Sequence, residues 1–101
     1  MGTDIDIVID EKIKKEIKLP SKYKVLMLND DSTPMDWVID LLMSTFRHSE
    51  SVSKELTLKI HNEGSAVVGI YTYEIAEQKM VEAINASRDR GFPLQLTMEK
   101  E

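Results

Sequence analysis

The spacing of apolar residues along this chain switches from two to three or four and back again, which restricts the fold more than any other feature. Alternation puts side chains on one face of a strand, whereas recurrence every three or four residues puts them on one side of a helix. "KYKVLMLN" (22–29) is short and rich in Val, Leu and Tyr, and predicts a strand. Met35, Val38, Ile39, Leu42 and Phe46 then follow at helical spacing. After a break at "RHSES", Val52, Leu56 and Ile60 give a second helical stripe over roughly 51–62. "AVVGIY" (66–71) predicts another strand, and Ala76, Met80, Ala83 and Ile84 a third helix running to Ser87. "PLQLTMEK" sets Leu94, Leu96 and Met98 inward against Gln95, Thr97 and Glu99 outward, the pattern of a half-buried strand.

Boundary residues agree with this division. Thr33, Pro34 and Asp36 form a Thr-x-x-Asp capping pattern with proline at the first helical position. Gly64 and Gly91 stand where the second and third helices should stop. Thr72 offers a cap for the third helix, with Glu74 and Glu77 in its first turn favouring the dipole. The predicted class is α+β: a three-stranded antiparallel sheet packed against three helices in the order βααβαβ. Residues 1–20 fit neither layer. "DIDIVID" alternates and "EKIKKEIKLP" carries one thin helical stripe, so neither buries much, and Pro20 closes the segment. We expect residues 1–20 to be a flexible N-terminal extension and residues 21–101 to be one core domain.

Composition narrows the function classes. Of 101 residues, 42% are hydrophobic and 31% charged, as in an ordinary soluble chain, and no apolar run approaches the ~20 residues that span a bilayer. Cysteine is absent, which excludes disulfides, thiol nucleophiles and thiolate metal sites and fits a reducing cytoplasm. The first residues lack the positive region and apolar core of a secretory signal. A formal net charge of -5 with no basic block argues against nucleic acid and favours cationic ligands or basic partner surfaces.

The residues at the first strand's end permit several chemistries. Asn29, Asp30 and Asp31 leave the strand together; as a bare pattern they form a plain turn or a binding site. A calcium loop through Asp30, Asp31 and Asp36 lacks the glycine and terminal glutamate it needs. His48 and His61 share no zinc-ligand spacing. Asp30 and His61 supply two parts of an acid–base pair, so a small acid–base enzyme is one reading, and a ribosomal-stalk-like interaction domain is another. We expect no metal or cofactor.

"YKVLMLNDDSTPM", "VIDLL", "KIHNEG", "YTYEIAEQK" and "GFPLQLTMEK", in this order over about residues 21–100, resemble the ClpS family. These are bacterial adaptors that deliver N-degron substrates to the ClpA unfoldase of the ClpAP protease. The resemblance implies a monomeric, non-enzymatic, cytoplasmic adaptor that binds a free N-terminal Phe, Tyr, Trp or Leu. It implies that Asn29, Asp30 and His61 hold the α-amine, and that Met27, Leu28, Thr33, Met35, Val38, Thr57, Ile60 and Leu94 form the side-chain pocket. Met35 matches the family's gatekeeper against β-branched first residues. Glu74 and Lys79 match the surface for the N-terminal domain of a ClpA-type AAA+ unfoldase. Thr57 departs from the pattern, which commonly has methionine there, and predicts a roomier wall and an altered ranking of first residues.

Overall fold

A central strand with a partner on each side organises the molecule. The computed structural model describes residues 20–101, so the expected N-terminal extension lies outside the described residues. Strand β1 (Lys22–Leu28) leads to helices α1 (Met35–Ser44) and α2 (Glu50–Glu63), then β2 (Ser65–Thr72), α3 (Tyr73–Asp89) and β3 (Leu96–Lys100). The sheet is antiparallel in the order β2-β1-β3, so the first strand in the sequence is the one in the middle. Three helices on a three-stranded antiparallel sheet is the α+β arrangement the periodicity predicts.

Val25 and Met27 point from β1 into the core with no exposure, meeting Val68 of β2 and Leu96 of β3 in the same apolar cluster. Leu41, Leu42 and Phe46 from α1 and Ala76 and Ala83 from α3 complete it. The small alanines let α3 approach the sheet closely. Between β1 and β2 the register slips: Val25 faces Gly69 while Leu26 faces Val67, so Val68 is an extra, bulged residue. Its carbonyl accepts a hydrogen bond from Nε2 of His48, in the connection between α1 and α2. His48 thereby satisfies the bulged carbonyl.

Local details depart from the sequence reading in three places. Thr33 does not close a capping box: Pro34 is the N-cap residue of α1, and the Thr33 hydroxyl donates instead to Asp30 Oδ2. On α2 the buried stripe is Ser53, Thr57 and Ile60, while Val52 is 39% exposed and Leu56 half-buried. The helix has turned by about one residue from the expected face; the Thr57 hydroxyl is satisfied within the helix, Oγ1 donating to Ser53 O at 2.7 Å, whereas the buried Ser53 hydroxyl has no partner among the described residues. Finally, β3 begins at Leu96, leaving Leu94 in the connection before it, although Leu94 is buried as expected. The helix-stop glycines are where predicted: Gly64 (φ 93°) and Gly91 (φ 77°) both take left-handed backbone. Among the described residues no helix is long and apolar enough to cross a membrane.

Candidate functional site

The site forms where β1 runs out. Beyond Leu28 the strand has two last backbone donors, and each is held from a different side. Leu28 N–H donates to Gln95 O (3.0 Å), and Asn29 N–H donates to Gly64 O (2.8 Å). These bonds bring the end of β1 against the C-terminus of α2 on one flank and the approach to β3 on the other. Gly64 is also the C-terminal cap of α2, with its own N–H on Ile60 O (2.9 Å). His61, in the last turn of α2, is thus fixed beside Asn29 and Asp30 although about thirty residues separate them in sequence.

A turn closed by Thr33 N–H on Asp30 O (3.3 Å) then reverses the chain into α1. Within it, the Thr33 hydroxyl donates to one Asp30 carboxylate oxygen. A carboxylate has about four acceptor positions, so this bond orients Asp30 while leaving most of its acceptor capacity open. Arg88 supports the opposite wall: its guanidinium Nη1 donates to Phe92 O (2.9 Å) and Leu94 O (2.8 Å), fixing the segment that carries Leu94. Arg88 is also the basic residue in the last turn of α3, where a cation complements the helix dipole.

Between these elements lies a cavity of about 290 Å³, at the small end of ligand pockets (~300–1,000 Å³) and suited to a single residue. Asn29, Asp30, Asp31 and His61 line its polar side. The rest of the lining is Leu28, Thr33, Pro34, Met35, Val38, Thr57, Ile60 and Leu94. Its floor is buried: Thr33, Val38, Thr57, Ile60 and Leu94 have almost no solvent contact. Met35 stands at the edge with 39% exposure, and the Asn29 and His61 side chains lie on the exposed side. Every predicted amine-end and pocket residue except Met27 lines this one cavity. Met27 is fully buried in the core and does not reach it. Asp31 and Pro34 are additions, and their adjacency to Asp30 and Thr33 in the turn was the available signal.

Chemically, one end of this cavity offers two carboxylates, an amide and an imidazole, each able to accept a hydrogen bond, and the other end is mostly hydrocarbon. Such a site takes a cationic, donor-rich head attached to an apolar body. On β2 and α3, the Glu77 carboxylate raises the pKa of the exposed Tyr73 phenol, and burial raises that of Tyr71.

The two predicted partner residues sit on α3, away from the cavity. Glu74 is exposed in the first turn, whereas Lys79 is half-buried and its Nζ donates to Thr45 O at 2.9 Å, closing the C-terminal end of α1. Its ammonium also lies 5.6 Å from the Tyr71 ring centroid.

Comparison with known proteins places the chain. A family model described as "ATP-dependent Clp protease adaptor protein ClpS" matches residues 18–97. The ATP-dependent Clp protease adapter protein ClpS of Leptothrix cholodnii is 46% identical over 92 residues, covering 91% of this chain and 80% of its own length. That of Maricaulis maris is 44% identical over 90 residues, covering 89% of this chain and 83% of the relative. Among solved structures, Agrobacterium tumefaciens ClpS2 bound to L-phenylalaninamide superposes with a TM-score of 0.80 at 42% identity, covering 82% of this chain and all of the other. The chain therefore belongs to the ClpS family of ATP-dependent Clp protease adaptors, and it is an adaptor rather than an enzyme.

Proposed function

We propose that this adaptor captures the unblocked N-terminal residue of a polypeptide, when that residue is Phe, Tyr, Trp or Leu, and carries it to a ClpA-type unfoldase. One observation carries the reading: Asn29, Asp30 and His61, from two distant segments, meet at the rim of a cavity whose floor is apolar. An α-ammonium has three N–H donors and, with a solution pKa of about 7.7–8.0, is largely charged at neutral pH. Leaving water, it needs those donors paired and its charge offset. Asp30 supplies the charge, Asn29 a carbonyl oxygen, and neutral His61 a lone pair. Burying a Leu or Phe side chain contributes roughly 1.5–3 kcal/mol, so neither end of the site suffices alone. L-Phenylalaninamide, held by the Agrobacterium relative, has this shape: a free α-amine on an aromatic side chain.

Glu74 and Lys79 would then contribute to the surface that meets the unfoldase's N-terminal domain. Since Lys79 is already bonded to Thr45 O, its aliphatic stem and one face of its ammonium would be shared with the partner. A stalk-like interaction domain would have no use for an amine-sized acceptor cluster.

The deciding measurement is fluorescence anisotropy with labelled peptides that differ only in their first residue, each also prepared N-acetylated. Binding of Phe-, Tyr-, Trp- and Leu-starting peptides that disappears on acetylation is expected. Equal binding of acetylated and free peptides would overturn the reading.

A further inference from the structure

Thr57 is a hydroxyl-bearing residue in the cavity floor, beside the hydrocarbon of Val38, Ile60 and Leu94, and it is only 3% exposed. Its Oγ1–H donates to Ser53 O one turn back on α2, at 2.7 Å. That bond uses the hydroxyl's single proton and leaves the oxygen's lone pairs. While that bond is kept, Thr57 can act towards a group entering the cavity only as an acceptor. The other hydroxyl in the lining, on Thr33, is committed to Asp30 at the amine end.

Position gives this acceptor a meaning. His61 and Thr57 both line the cavity and lie four residues apart on α2, about 6 Å along the helix axis. That separation is comparable with the reach of a tyrosine side chain from its α-carbon to its hydroxyl. A first residue whose amine sits by His61 would bring the far edge of its ring to the level of Thr57. A phenol buried there needs an acceptor for its proton. Phenylalanine needs none, and leucine does not reach as far.

We propose that Thr57 is a specificity-determining residue that favours tyrosine over phenylalanine as the first residue by accepting the phenol's proton. The proposal rests on the amine-binding reading above. A net neutral hydrogen bond corresponds to a Tyr-over-Phe preference of about three- to tenfold.

The test compares Tyr- and Phe-starting peptides of otherwise identical sequence on the wild-type chain, on Thr57→Val and on Thr57→Ser. Valine keeps the shape and removes the acceptor; serine keeps the acceptor. The expected result is a Tyr preference in the wild type and in Thr57→Ser, and its collapse towards unity in Thr57→Val. A peptide starting with 4-methylphenylalanine, tyrosine's outline without the donor, reads the same interaction on the unaltered protein and should lose the preference. No Tyr preference in the wild type, an unchanged ratio in Thr57→Val, or equal binding of the 4-methyl and tyrosine peptides overturns the Thr57 role. If free-amine dependence persists in those cases, only this proposal falls. If acetylated peptides bind as well as free ones, the amine-binding reading falls with it.

Discussion

Two concavities among the described residues differ less in size than in what lines them. The cavity at the end of β1 is about 290 Å³, whereas a groove between α1 and the end of α3 is about 350 Å³. Trp37, Asp40, Leu41, Ser44, Thr45, Ala86, Asp89 and Arg90 line the second. Of these only Leu41 is fully buried, so the groove is a furrow between exposed helix faces. Its charges, Asp40, Asp89 and Arg90, stand in solvent and are of mixed sign. At the end of β1, by contrast, groups able to accept hydrogen bonds converge from a strand end and a helix end above a buried floor. A site is distinguished by convergence and a sealed base, not by volume.

That contrast can be broken by paired substitutions. The largest effect is expected for Asp30→Asn, which removes the countercharge for a desolvated ammonium. Peptide affinity should fall by about 2–4 kcal/mol, while Asp40→Asn in the groove leaves it unaltered. Anisotropy on the two variants decides; equal losses would erase the distinction between the concavities.

Next is the imidazole. His61→Ala should weaken binding by about 1.5–3 kcal/mol through loss of a bond to a charged donor. Anisotropy on the variant reads this loss, and affinity equal to that of the wild type would remove His61 from the grip.

Smaller effects separate stability from binding. Lys79→Met leaves the Thr45 carbonyl without its partner at the end of α1, in the wall of the groove. Thermal or urea unfolding should register a loss of about 1 kcal/mol. The smallest change is at the rim. Met35→Ala opens the mouth of the cavity and should raise affinity for Ile-starting peptides by about 0.5–1 kcal/mol. If Ile stays as poorly bound as before, Met35 is not what excludes branched side chains.

Element order, sheet class and the residues around the cavity were legible because they follow from periodicity, from glycines needing left-handed backbone, and from motif resemblance. What escaped notice was decided by hydrogen bonds rather than hydropathy. Thr57 is buried where Leu56 was expected, because its hydroxyl is satisfied by its own helix; apolar counting cannot see that. Thr33 reads as a helix cap by spacing, yet its hydroxyl goes to Asp30, since Pro34 itself takes the cap position. Arg88 reaches forward to Leu94, a contact that the turn after α3 creates and no local pattern announces. The bulge at Val68 had one written sign, Gly69 inside a strand. Met27 fails as a lining residue for a geometric reason: on a strand facing the core, the residue before the site points into the packed interior.

The two backbone bonds that hold Leu28 and Asn29 to opposite flanks have a kinetic corollary. A receptor whose main chain is already locked has little ordering left to do when its ligand arrives. Encounter should therefore proceed at much the same speed for every chain start, good or poor. Discrimination would reside in dwell time, with unsuitable termini visiting and leaving before any downstream machine can engage them.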